Sequence, residues 1–401
     1  MSPKRNVLII SGVFLPEPVV SARLNYDMAE ALSEKYDVTV ITPRPSRPYG
    51  VKYDNIKPTQ GGFTHIIVDS YTCPKSDIVG RLRESYSFAR AALRYIRQNN
   101  ITADIIYNCS WHLIGLYMIA RYAVKNNIPY IVPVQDIYPE SLIAKIKKRR
   151  LLSQLIKLLA LPIDRYYLSN AARIRTISDA MANYLTQTRK IPRNKFVIVN
   201  NWQDDAIFEE QRPNEFGDIL KFAYVGSVND SSNVEHIIAS YADADIANAQ
   251  LLIYGDGPNK DNCIKLANDL KPDSIFFGSV TPEQVPSVEW NSNVLVLALK
   301  KGVAKTALPS KLTAYFLAGR PVLASLDEDS AAAQIIKSYN CGVVVPPEDK
   351  EKLAQAFGMF ANMEKDELAR LGNNSRLCAE YMFLKSTNLQ KITDAISSII
   401  E

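Results

Sequence analysis

A chain of 401 residues with 47% hydrophobic content can bury two sizeable cores, so two domains are expected, three at most. Five scattered cysteines without a CxxC pair, and three histidines far apart, argue for a reducing compartment and against a disulfide frame or a zinc site. Net charge is +5, yet residues 1–200 carry 29 Lys+Arg against 14 Asp+Glu and residues 201–401 carry 18 against 28, so the halves should meet different partners.

The basic half suits nucleic acid, an anionic membrane or a phosphorylated substrate. Nucleic acid is the weakest of these, because no aromatic–basic stacking motif is present. There is no run of 18 apolar residues and no signal-peptide pattern, so the expected location is cytoplasmic.

Residues 6–10 read as a strand, 23–35 as an amphipathic helix and 37–42 as a second strand. This is a βαβ unit of a parallel sheet. Such sheets bind ligands at the carboxyl ends of strands, which draws attention to the loop holding Gly12, Glu17 and Arg23. Residues 43–75 are loop-like and proline-rich, broken by a short strand over 64–68. An arginine-rich helix over 77–98, a strand over 104–107, a helix over 113–125 and a strand over 130–134 follow. His112 sits at one strand exit, and Gln135-Asp136-Ile137-Tyr138-Pro139-Glu140-Ser141 at the next.

Lys145-Ile146-Lys147-Lys148-Arg149-Arg150 leads into a leucine-rich stretch through Leu161. Either it lies on an anionic membrane, or it is a solvated turn before a core helix. Strands over 174–177 and 196–199 end the first half, and 200–213 is the linker candidate. The second half repeats the α/β pattern. Strands are predicted over 221–225, 250–254, 274–277, 294–299, 322–324 and 341–345, a helix over 234–243, and two helices after the last strand. Gly255-Asp256-Gly257-Pro258 is a strong turn signal.

The chain is organised around 294–323. A buried strand runs into Lys300-Lys301-Gly302, and Pro309-Ser310-Lys311 opens a helix that Gly319 stops. Free N–H groups of a helix start, set beside lysines at a strand end, form a site for a phosphate or diphosphate.

These segments together resemble the retaining glycosyltransferases of family 4, closest to the branch that assembles capsule and O-antigen units on lipid carriers. The resemblance rests on residues 7–17, the motif 135–141, 199–202, 222–228, 251–258, 307–322 and 342–347, in family order. It implies an α/β GT-B fold: two Rossmann-like, doubly wound domains facing a cleft, over 1–200 and 201–383, with a last helix over 384–401 crossing back. It implies that the second domain holds a nucleotide sugar, usually a UDP-sugar, and the first a lipid-linked or polysaccharide acceptor at a membrane surface. No metal or other cofactor is expected, since helix-end N–H groups and lysines take that place.

The resemblance distributes the residues as follows. Lys311 would clamp the diphosphate, assisted by one of Lys300 and Lys301. Ser310 would add a hydroxyl or act as a helix cap. Gly226, Ser227 and Gly12 would let the donor approach, and Gly278 and Val280 would line its base. Asp136 would orient or deprotonate the acceptor hydroxyl, with Glu17, Arg23, His112 and Glu140 around it; Glu140 has a helix cap as its alternative. The departures stand out: Ser227 and Ser232 replace a usual arginine and lysine, Thr306 and Ala314 replace two usual glutamates, the second of which grips the ribose, and Ser21-Ala22-Arg23 stands where a double glycine is usual. They keep two alternatives open, a non-catalytic subunit partnering another transferase and a sugar-nucleotide 2-epimerase.

Overall fold

The computed structural model describes residues 3–47, 53, 56–74, 77–111, 113–144, 150–202, 217, 219–271, 273–304 and 308–401. The chain divides into two compact units, Met1–Asn201 together with Asn388–Glu401, and Trp202–Thr387. The basic run 145–149, most of the linker candidate, and His112 lie outside the described residues.

The first unit runs β1 (Asn6–Ser11), α1 (Val20–Ser33), β2 (Asp37–Pro43), β3 (Thr64–Val68), α2 (Ile78–Gln98), β4 (Ile105–Cys109), α3 (Ile114–Lys125), β5 (Tyr130–Val134), α4 (Glu140–Ala144), α5 (Arg150–Ser169), β6 (Arg173–Thr176), α6 (Asp179–Arg189) and β7 (Phe196–Ile198). Its seven strands are parallel, in the order β3-β2-β1-β4-β5-β6-β7. Helices on both faces bury the sheet, so β1 reads as one unbroken apolar run, Val7 to Ile10. Helix α2 starts where Asp77 accepts from Gly80 N at 2.7 Å. Helix α6 was invisible in the sequence because its buried stripe, Ala182, Leu185 and Arg189, contains an arginine. Its N-cap is Ser178, which accepts from Met181 N.

The second unit runs β8 (Leu220–Val225), α7 (Val234–Ala244), β9 (Ala249–Tyr254), α8 (Lys260–Leu270), β10 (Ile275–Gly278), α9 (Val285–Trp290), β11 (Val294–Ala298), α10 (Ser310–Leu317), β12 (Val322–Ser325), α11 (Ala331–Ser338), β13 (Gly342–Val345), α12 (Lys350–Ala361) and α13 (Lys365–Met382). Its six strands are also parallel, in the order β10-β9-β8-β11-β12-β13. A last helix, α14 (Lys385–Ile400), makes three helices after β13 where two were expected. The extra boundary falls where α12 ends at Asn362 and α13 starts behind Glu364.

From Asn388 onward the chain belongs to the first unit. Asn388 is fully buried there, and its Oδ1 accepts from Asn200 N at 2.9 Å. Glu401 closes the helix's far end on Lys35 at 2.8 Å.

In each sheet the order reverses at its first strand. β1 has β2 on one side and β4 on the other; β8 has β9 and β11. Crossovers diverge there and leave a crevice at the strands' carboxyl ends. Among the described residues no helix is long and apolar enough to cross a membrane.

Candidate active site

In the second unit, three neighbouring strands end in glycine loops: Gly226 after β8, Gly255 after β9, and Gly278 closing β10. The loops run backbone against backbone. Gly226 N donates to Tyr254 O at 2.8 Å, Val228 N to Asp256 O at 2.8 Å, and Gly255 N to Gly278 O at 3.2 Å. Gly255 has φ +149°, and a Cβ there would lie 1.9 Å from Gly226 O. Only glycine fits. The turn signal seen in the sequence is thus a packing requirement between strand ends.

Helix α10 docks on this edge through two residues one turn apart. Tyr315 Oη accepts from Val225 N at 3.0 Å from within the core. Lys311, four residues earlier, reaches the neighbouring Tyr224: its ammonium donates to Tyr224 Oη and lies 4.4 Å from the ring centroid. The Tyr224 hydroxyl in turn donates to Ser227 O at 2.6 Å. No carboxylate among the described residues pairs with Lys311. Burial lowers its pKa to about 8. The site therefore holds a desolvated cation, with no acidic partner among the described residues, against a helix start.

The other donor-side candidates are less deeply placed. Lys300 pairs with the exposed Asp230, and Lys301 is exposed. Ser310 is the first helical residue, and Pro309, not Ser310, holds the N-cap position, so the sequence's capping alternative for Ser310 does not apply. Ser227 is exposed and Val280 packs partly buried against the core under α10. Ala314 is 8% exposed. Residues 305–307 lie outside the described set.

In the first unit, Glu17 is 3% exposed and holds its own surroundings together. Its carboxylate accepts from Ser46 N at 2.6 Å, Arg47 N at 2.7 Å and Phe14 N at 3.2 Å. Burial raises its pKa against the pull of those three N–H groups. Gly12 lies under Trp111, whose ring carbon would be 2.8 Å from a Cβ. Arg23 reaches Asp27 at 3.1 Å, one turn along α1.

The motif after β5 separates its two acids. Asp136 is exposed at the strand end. Glu140 is clasped by Arg189, with Nη2–Oε2 at 2.6 Å and Nη1–Oε1 at 2.7 Å, and accepts from Tyr184 Oη at 3.0 Å. Burial works against the Glu140 carboxylate, but the arginine prevails and its pKa is lowered. Arg189 also donates to Tyr138 O at 2.6 Å and to Asp164 Oδ2 at 2.7 Å. No sequence signal marks Arg189, Tyr224 or Tyr315 as site-forming groups, beyond the i, i+4 spacing of Lys311 and Tyr315.

Comparison with known proteins fits this architecture. Residues 21–206 match the family Glycosyltransferase Family 4 and residues 205–377 match Glycosyl transferases group 1. A probable glycosyltransferase, WbjE of Pseudomonas aeruginosa, is 22% identical over 304 residues, 72% of each chain. HepE of Anabaena, solved in complex with UDP, has a TM-score of 0.67 at 12% identity, covering 98% of this chain and 100% of that one. WaaG, a glycosyltransferase involved in lipopolysaccharide biosynthesis, has a TM-score of 0.60 at 16% identity, covering 98% and 99%. Two parallel-sheet Rossmann-like domains with these matches define a glycosyltransferase of the GT-B type. The chain carries a family 4 domain followed by a group 1 domain.

Proposed function

We propose that this glycosyltransferase moves a sugar, with retention, from a UDP-sugar to a lipid-linked or polysaccharide acceptor in cell-surface glycan assembly, working at the membrane surface and without a metal. The observation that carries the reading is Lys311. A partly buried ammonium without a carboxylate partner among the described residues, at a helix start and beside a glycine-cleared strand end, has the chemistry to bind a diphosphate. HepE, which shares the fold, was solved with UDP, and WaaG is involved in lipopolysaccharide synthesis.

In this reading the bond between the sugar's anomeric carbon and the diphosphate breaks first. Negative charge builds on the leaving oxygen. Lys311 and the α10 N–H groups meet it in a site poor in water, where charge stabilisation acts most strongly. The acceptor oxygen then bonds to the anomeric carbon from the same face that the diphosphate leaves, which retains the configuration, and Asp136 takes the proton of that hydroxyl. Lys300 or Lys301, with Ser310, assists the phosphates, and the backbone at Gly226, Ser227, Gly278 and Val280 borders the nucleotide. Ribose recognition at Ala314 uses a group other than the side chain there.

The test is UDP release from purified protein offered UDP-sugars with and without a membrane extract as acceptor source. Turnover only with acceptor supports transfer. Turnover with donor alone would point to an epimerase, and none in either case, with UDP bound, to a non-catalytic subunit.

A further inference from the structure

Lys311 starts on one face of the second sheet and ends on the other. Leu312 and Tyr315 of its helix, α10, pack with Ala223 and Val225 in one core, while Phe222 and Tyr224 belong to the core on the opposite face. Successive strand residues point to opposite sides of a sheet. The lysine stem therefore crosses the end of β8 to reach Tyr224, and it does so at Gly226, which has no side chain in its way. A long unbranched stem loses much rotamer freedom when held in one place. What holds it is Tyr224, whose hydroxyl accepts from the ammonium and whose ring centroid lies 4.4 Å from it.

The anchor is itself fixed. Tyr224 is fully buried, and its hydroxyl donates to Ser227 O at 2.6 Å, which turns a lone pair toward the lysine. Burial pushes the pKa of this hydroxyl up to about 12, with the Ser232 hydroxyl drawing it partly back. The phenol is thus neutral wherever Lys311 is charged. A carboxylate in its place would hold the ammonium and cancel its charge. Tyr224 holds it and leaves the charge for an anion. Tyr315, the other titratable group on α10, is occupied elsewhere, since its hydroxyl bonds Val225 N and Val296 O.

That charge has few substitutes nearby. Residues 226–233, 255–259 and 278–284, which follow β8, β9 and β10, contain no lysine or arginine. Lys300 is paired with Asp230. A diphosphate bound over these strand ends depends on where the Lys311 ammonium is aimed.

We propose that Tyr224 is the positioning residue for the donor diphosphate: its hydroxyl aims the Lys311 ammonium across the end of β8 while leaving its full charge to the phosphate oxygens. This deepens the donor reading and rests on it.

The experiment is isothermal titration of the full chain with UDP, on wild type, Tyr224→Phe, Lys311→Ala and the double variant. Phenylalanine keeps the ring, and so the core packing and the contact with the ammonium, and removes only the hydroxyl. Tyr224→Phe should weaken UDP binding about tenfold or more, as loss of a hydrogen bond to a charged group does. The double variant should bind no more weakly than Lys311→Ala, because the hydroxyl acts only through the lysine. The pH profile adds a readout that packing alone does not move. Wild-type affinity should fall as pH rises through about 8, where Lys311 loses its charge. Without the hydroxyl that accepts from the charged form, the fall should begin at lower pH in Tyr224→Phe. A Tyr224→Phe variant that matches wild type while Lys311→Ala is weakened overturns this proposal and leaves the donor reading standing. So does a double variant weaker than Lys311→Ala by the whole Tyr224→Phe factor, which would make the hydroxyl independent of the lysine. Wild type that does not bind UDP, or Lys311→Ala that binds it normally, would sink the donor reading and this proposal with it.

Discussion

A Cβ on residue 226 would lie 2.0 Å from Cε of Lys311. The glycine and the lysine are therefore one device: the strand end is left bare so that the lysine stem can cross it and bring its ammonium to Tyr224. Gly226 also has φ +140°, which an L side chain rarely adopts.

Gly226→Ala should thus displace Lys311 and strain the loop at once. The expected cost is about 1–3 kcal/mol of stability, typical of overpacking, with a larger loss of UDP affinity than of melting temperature. Isothermal titration beside a thermal melt separates the two. A variant that binds UDP normally would show that Lys311 does not depend on this gap.

Lys311→Ala should leave the fold intact and lower turnover by about a hundredfold or more, as removal of a charge-stabilising donor does. The pH profile adds a sharper test. The free ammonium has its pKa lowered to about 8 by burial, and only the charged form attracts diphosphate. The specificity constant, which reports the free enzyme, should fall as pH rises through that value. Lys311→Arg, charged throughout, should flatten the alkaline limb even where it lowers the rate. An alkaline limb that persists in the arginine variant would place the titration on another group.

The strands were legible in the sequence because buried parallel strands are short apolar runs with turn residues at their ends. The helix start at Lys311 was legible for a similar reason, since proline, serine and a terminal glycine mark both its ends. What stayed hidden was every partnership across sequence distance. Nothing local tells that the Glu17 carboxylate is taken by N–H groups 29 and 30 residues away. Nor does anything tell that Glu140 meets an arginine 49 residues on. A buried arginine inside an apolar stripe also disguised α6 itself.

Arg189 joins Glu140, Asp164 and Tyr138 O, so it fixes the loop that carries Asp136. Arg189→Ala leaves two acids without their cation and should cost about 3–5 kcal/mol, the usual penalty for breaking a buried pair. Arg189→Lys keeps the charge but loses the two-pronged grip on Glu140, and should recover only part. The lowered pKa of Glu140 sets the sign with pH. Its stabilisation is present above the unfolded value of about 4.5 and is lost as pH falls through the lower folded value. Urea unfolding at neutral and acid pH should therefore show the wild-type advantage over Glu140→Gln shrinking toward acid. An advantage independent of pH would mean that the ion pair contributes nothing net.

Glu289 on α9 presents the opposite case. It is 1% exposed, and its Oε2 has no hydrogen-bond partner among the described residues. Burial holds its pKa well above the usual carboxylate range. Below pH of about 4.5 the acid is protonated both folded and unfolded, and the fold loses nothing. Above it the unfolded chain releases a proton that the folded chain keeps. Stability then falls by about 1.4 kcal/mol per pH unit until the folded pKa is reached. Glu289→Gln has nearly the same shape and no proton to lose. It should match wild type in acid and melt at higher temperature near neutral pH, with the gap widening between the two. Melting curves across that range decide it: a constant difference, or a glutamine variant less stable at neutral pH, would show that Glu289 is ionised in the fold and held by a partner.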